Sequence, residues 1–287
     1  MKVEMFNFWY FFWLAICFGV FFLLYFILKR KSEKTIRWVL FGILIFALVL
    51  HFLKMLFPPY STDSARLYRD IWFINICGAN IFVFPFIFIC KSDKAKDYMF
   101  FIGLLSGLIS MFYPIEPMVK SNPNGEILDI IRFYIHHMII WQVPLLMVVL
   151  KIHKVNYKSS IFVPIGLLLL MLFIILNQIF QSELGFIDLR GDNLFDIPYK
   201  NSSMIWGPDG EISKVIDWAC PSFFKTIPVG PHKGETKYWP WFWLIVPCFV
   251  ILTPLCFGIS MIFDHKHFKD DITALVNYFK NRKALKE

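Results

Sequence analysis

Residues 130–150 read IIRFYIHHMIIWQVPLLMVVL. These twenty-one residues carry one formal charge and otherwise almost nothing that water would hold. A helix needs about 20 apolar residues to cross the hydrocarbon of a bilayer, so this stretch reads as a membrane span. Six more runs of the same kind flank it, at 6–28, 38–57, 71–90, 98–113, 161–180 and 239–263. Of the seven, 98–113 is the shortest. The chain has 287 residues, 57% hydrophobic and 19% aromatic, and its apolar residues gather in these runs instead of mixing with polar ones as in a soluble domain. The fold expected is all-α: a polytopic seven-helix transmembrane bundle. A membrane domain over 1–264 would be followed by a basic cytoplasmic amphipathic tail over 265–287.

Charge sets the expected orientation. The 29–37 loop holds five Lys/Arg, the 91–97 and 151–158 loops three each, and the tail after Asp264 six. Loops 58–69 and 114–129 hold three together. The positive-inside bias therefore predicts N-out, C-in. It also accounts for the net charge of +8 without nucleic acid, for which there is no other support. The first run is too long for a signal h-region, lacks a small-x-small cleavage site and ends in Lys29-Arg30-Lys31, so it reads as a retained span. The tail stretch 268–283 places Ile272, Leu275, Val276 and Phe279 on one face, as an interfacial helix would. The six cysteines show no CxxC pair and no zinc spacing, and a disulfide framework is not expected.

The long connection 181–238 is extracytoplasmic in this topology and joins helices six and seven. It mixes turn signals (Arg190-Gly191-Asp192, Pro208-Asp209-Gly210) with Phe186, Trp206, Trp218 and Phe223. A flexible linker would lack those aromatics, so an ordered cap over the outer mouth of the bundle is expected. Asn201-Ser202-Ser203 fits a glycosylation sequon.

Ionisable residues within the spans collect at one level. His51, Cys77, Arg132, His136, His137, Asn177 and Gln178 all fall near the outer face, and such groups are costly in hydrocarbon unless they bind or react. A helical third run starting at Asp70 would put Cys77 about 10 Å deep, with Asp70, Cys77 and Asn80 on one face and Asn75 turned away. Asp129, Arg132 and His136 share a face of the fifth run, where Arg132 is placed to hold a phosphate or carboxylate. Asn177 and Gln178 read as interhelical hydrogen-bond partners, Trp239 and Trp241 as an interfacial belt, and Lys54 as a snorkelling side chain. Adjacent imidazoles diverge by about 100° on a helix, which disfavours a zinc site built on His136 and His137. No metal and no cofactor is expected.

The stretch Arg132-Phe133-Tyr134-Ile135-His136-His137 resembles the YwaF-like bacterial integral membrane proteins, which are related to the eukaryotic TMEM164 membrane acyltransferases. Gly103, Gly107 and Pro114 in the fourth run, Asn177 in the sixth and Trp239-Pro240-Trp241 opening the seventh agree with it, and the resemblance spans residues 36–263. It implies a seven-helix bundle in a cell membrane and transfer of a fatty acyl group between phospholipids through a cysteine intermediate. Bacterial relatives tend to carry His-x-Cys in the third span; here Asn75 replaces the histidine before Cys77. The connection 181–238 is also longer than the resemblance leads one to expect.

These readings converge on a membrane lipid acyltransferase or acyl hydrolase of the outer leaflet. Cys77 would accept the acyl group, His137 or His136 would act as base, and Asn75 or Asn177 would donate to the oxyanion. Arg132 would hold the lipid phosphate, with His51 and Gln178 lining the site. The partner is membrane phospholipid, and no protein partner is indicated. A binding protein or transporter of a small polar or lipidic ligand is the rival reading. The apolar inner halves 82–89 and 145–149 weigh against a through-path.

Overall fold

The structure, a computed structural model, describes residues 1–58, 60–63, 67, 71–115, 118, 126–186, 203–208 and 212–284. Seven helices of 14 residues or more organise them: α1 Phe8–Leu28, α2 Glu33–Leu53, α3 Ile76–Ile89, α4 Asp93–Phe112, α5 Ile127–Val149, α6 Val163–Glu183 and α7 Thr253–Ala284. Side-chain caps set four of the starts. Asn7, Ser32, Asn75 and Ser92 accept from the amides of Tyr10, Thr35, Gly78 and Ala95, satisfying donors that helix N-termini otherwise leave orphaned. Six stretches are long and apolar enough to cross a membrane; α3 is a shorter apolar helix.

Two expectations about length are corrected. The fourth span is not short: Ser92 starts it at Asp93, giving 20 residues. The third is the short one, 14 residues or about 21 Å, because the chain over 71–75 is not helical and Asn75 caps the helix. Cys77 therefore sits in the first turn of α3, and the face and depth worked out for a helix beginning at Asp70 do not apply. Asp70 itself lies outside the described residues, as do 190–192, 209–210, Asn201 and Ser202.

α5 is the central helix, with 78% of its apolar window buried, against 11% for α1 at the periphery. Glycine lets α4 and α5 approach closely. A Cβ at Gly103 would come 2.5 Å from the Ile140 carbonyl oxygen, and one at Gly107 would come 2.9 Å from that of His137. Small residues four apart are a common way for membrane helices to bring their backbones together. On its other side α5 holds α1: Trp13 stacks on Tyr134 at 5.0 Å, and the Gln142 amide donates to the Cys17 carbonyl at 2.6 Å.

The seventh span is irregular where it begins. Trp241 has φ +67°, a 3-10 turn covers Phe242–Leu244, and a π-helical segment over Cys248–Leu252 leads into α7. Pro247 and Pro254 flank that segment and cannot donate the amide bonds a regular helix needs there. The tail helix continues α7 past a kink at Asp264, whose carboxylate accepts from the Tyr157 amide and pairs with His267. Ile272, Leu275, Val276 and Phe279 remain exposed along it. All six cysteines are free.

Gly103→Ala is expected to destabilise the protein in detergent by about 1–3 kcal/mol, the usual range for overpacking. Gly42→Ala, which meets nothing within 4 Å, should be neutral or stabilising in the same thermal-melt assay. Equal melts for the two would show that α4 and α5 do not need their close contact.

Candidate functional site

Arg132 is the hub of the site. From α5, its Nε and Nη2 both donate to Asp129 Oδ1, at 3.0 and 2.7 Å. Nη2 also reaches the Tyr60 hydroxyl at 3.0 Å, and Nη1 lies 3.4 Å from His136 Nδ1. A guanidinium can only donate, so Nδ1 of His136 is the accepting nitrogen and the proton of the neutral ring sits on Nε2. That Nε2 is buried with no hydrogen-bond partner among the described residues, in a side chain 2% exposed.

His136 faces His51 of α2, with ring centroids 6.0 Å apart and planes inclined by 30°. His51 Nε2 lies 3.2 Å from the Ile71 carbonyl, to which it donates. Behind His51 comes Gly78, where a Cβ would stand 3.6 Å from the imidazole carbon. A continuous path of contacts thus runs Asp129, Arg132, His136, His51, Gly78, and Gly78 follows Cys77 in the chain. Cys77 Sγ itself lies 3.8 Å from Ser110 Oγ of α4.

His137 points elsewhere, as adjacent helical positions must. Its Nδ1 is 2.8 Å from the Phe133 carbonyl and therefore carries the proton, which leaves Nε2 as the basic nitrogen. The two neighbouring histidines consequently hold opposite tautomers. The Cys77 side chain borders α4 at Ser110, and the His137 backbone carbonyl borders it at Gly107 one turn earlier.

The remaining candidates have other duties. Asn75 Oδ1 accepts from the Gly78 amide at 2.6 Å as the α3 cap. Gln178 Oε1 accepts from the Trp206 indole at 2.9 Å, which ties α6 to the long connection. Asn177 Nδ2 is buried without a partner among the described residues, as are both side-chain atoms of Gln181 one turn on. Lys54 does not snorkel: it is 6% exposed, with its ammonium 5.2 Å from the centre of the Tyr60 ring. Trp241 is more than a belt residue, since its indole donates to the Leu168 carbonyl inside the bundle.

Several participants had little signal in the sequence. Tyr60 sits in a turn after two prolines, and Ser110 is one hydroxyl in an apolar helix. The buried pair Asp97–His153, 2.8 Å apart, joins α4 to the segment before α6, and the Tyr98 hydroxyl donates to buried Asn80 at 3.0 Å. The part of the bundle away from the Arg132 cluster is therefore less apolar than runs 82–89 and 145–149 imply. Asp97 belongs to a charged stretch that reads as a loop until Ser92 is recognised as a cap.

Part of the long connection covers this end of the bundle. Ser203 Oγ donates to the Ile74 carbonyl, Ile205 and Trp206 are buried, and Trp243 donates to the Met204 carbonyl. Farther along, Asp217 receives hydrogen bonds from Tyr238 at 2.8 Å and Lys225 at 3.0 Å. Burial pushes the Asp217 carboxyl up, but those two hydrogen bonds outweigh it and hold the group below its ordinary 3.8.

A bundle of apolar helices with a polar cluster at one end defines a multi-pass integral membrane protein. The chain belongs to the TMEM164 family, whose profile matches residues 5–260 and so includes the first helix, which the motif resemblance left out. No curated protein and no solved structure matches it.

Removing Arg132 strands a carboxylate that is 5% exposed, so Arg132→Ala should cost about 3 kcal/mol in a denaturation assay, and adding Asp129→Asn should recover part of it. If the single and double variants melt alike, the pair is not coupled. The lowered Asp217 value means its contribution is present above 3.8 and is lost as pH falls through the folded value. Hydrogen-exchange protection of 212–239, corrected for intrinsic rate, should fall below about pH 4, and Asp217→Asn should remove that dependence.

Proposed function

We propose that this protein is an acyltransferase, or a related acyl hydrolase, acting on phospholipids of the extracytoplasmic leaflet of a cell membrane. The reading takes seven crossings, N-out and C-in, with α3 as the third. The observation that carries it is the buried Nε2–H of His136, held in one tautomer by Arg132 and lacking an acceptor among the described residues. A donor kept dry and pre-oriented is what a developing oxyanion on an ester carbonyl requires. The family resemblance supports the same chemistry.

The roles divide by tautomer. His137 takes the Cys77 thiol proton on Nε2, since Nδ1–H is committed to the Phe133 carbonyl. The sulfur attacks the acyl carbon, and His136 Nε2–H donates to the tetrahedral oxygen. Collapse breaks the ester bond, His137 returns the proton to the leaving lipid oxygen, and a thioester remains on Cys77. A second lipid hydroxyl, or water, then attacks the thioester with His137 again as base. Arg132 steers a phosphate by its positive charge, and Asn177 is the further amide donor at this end. Asn75 serves as the cap that sets the first turn of α3.

The rival reading, a binding protein or transporter of a lipidic or small polar ligand, draws on the buried pairs Asn80–Tyr98 and Asp97–His153, which extend polar groups toward the opposite face. Acyl exchange between defined phospholipids, with mass-spectrometric capture of the acyl-enzyme, separates the two. Cys77→Ala should lower exchange by about a thousandfold or more, and His136→Ala by about a hundredfold. Full activity in Cys77→Ala with loss in His137→Ala would rule out the thioester. No exchange or hydrolysis by the unaltered protein on any lipid would leave the ligand-binding reading in its place.

A further inference from the structure

At the other end of the bundle, where the basic loops emerge, a groove of roughly 630 Å³ opens between the start of α2 and the end of α3. Its floor is an aromatic ladder: Trp38 meets Phe41 at 6.3 Å, and Phe41 stacks across the helix boundary on Phe88 at 6.2 Å. Trp38 and Ile89 are 66% and 64% exposed, on helices whose outer surfaces are apolar. Above this floor stand Lys34, Arg37, Lys91 and Lys96, with Glu33 the one carboxylate among the lining residues. Glu33 is already taken by Arg37 at 2.7 Å, and Arg37 also donates to the Ile152 carbonyl. The ammonium groups of Lys34, Lys91 and Lys96 have no ion pair or hydrogen bond among the described residues.

The order of these groups along the helices is informative. Lys34, Trp38 and Phe41 are spaced four and three apart, so they share one face of α2, with the cation at its first turn and the rings successively deeper. On α3, Phe88 and Ile89 are the last two residues of the helix and Lys91 comes just after it. Positive charge above and open apolar surface below match an amphiphile with an anionic head and hydrocarbon tails. Basic pockets between helices at a membrane face hold such head groups.

We propose that this groove is a binding site for an anionic phospholipid of the leaflet on that side. The phosphate is held by Lys34, Lys91 and Lys96, and an acyl chain lies along Trp38, Phe41 and Phe88. The occupant is a lipid and not free phosphate, because more than half of Trp38 and of Ile89 is exposed where hydrocarbon would lie. The site is separate from the His136 cluster and does not rest on acyl transfer.

The test uses the full chain in phosphatidylcholine nanodiscs, with spin-labelled phosphatidylglycerol or phosphatidylcholine as probe. The unaltered protein should immobilise phosphatidylglycerol in preference. Each of Lys34→Gln, Lys91→Gln and Lys96→Gln should lower that preference by about five-fold, the effect of one charge near the surface. Lys151→Gln with Lys154→Gln, on the same face but outside the groove, should leave it intact. Trp38→Ala should release the bound lipid of either charge without unfolding the protein, as judged by its melt. Equal preference in the groove variants, or an equal loss in the Lys151/Lys154 control, would overturn the site. Displacement by glycerol phosphate at a concentration equal to that of the lipid probe would overturn the lipid as its occupant.

Discussion

Backbone contact between α4 and α5 at Gly103 and Gly107 is the constraint on which the rest of the molecule depends. Lipid offers no hydrophobic reward for pressing two apolar helices together, so their association rests on packing. With only hydrogen at both glycine positions, the Ile140 and His137 carbonyls come up against α4 itself. That fixes the rotation of α5 about its axis. Once α5 is set, Arg132 and His136 must face α2, and His137 must face the Phe133 side. The site is a consequence of how closely two backbones approach.

Within that frame a single guanidinium distributes the chemistry. Arg132 satisfies Asp129, touches Tyr60 and fixes the proton of His136, all from one position on α5. The Phe133 carbonyl fixes the proton of His137 in the opposite sense. Two identical side chains, adjacent in sequence, thereby become a donor and an acceptor. Neither assignment depends on charge; each follows from whether the nearest neighbour can only give or only receive a hydrogen bond.

The sequence makes the bundle legible because length and polarity alone identify a span. His51, Arg132 and His136 could be grouped from helical spacing, since each lies on a long, regular helix. Positions beyond a helix boundary were less accessible. Asn75 reads as a helical residue because the apolar run continues through 71–75, and nothing in composition separates a capped start from a continuing helix. Gln178 reads as a partner for another helix, and its bond to the Trp206 indole is not legible because that indole comes from a connection with no periodicity. Asp97 was obscured by its lysine neighbours. For Gln178 and Asp97 the deciding contact joins segments distant in the chain, whereas for Asn75 it is a local cap on Gly78.

The brevity of α3 has a physical consequence for what surrounds it. A 14-residue helix is about 9 Å shorter than the hydrocarbon layer, so α3 as the proposed third crossing would bring non-helical chain into a region where water cannot satisfy it. Such chain survives there only when protein shields it. Here His51 serves the carbonyl of Ile71 and Ser203 that of Ile74, one from a neighbouring helix and one from the overlying connection. With α3 as the proposed third crossing, the membrane beside it would either thin or draw its polar boundary inward. Either response would lower the level of the glycerol esters toward the sulfur of Cys77.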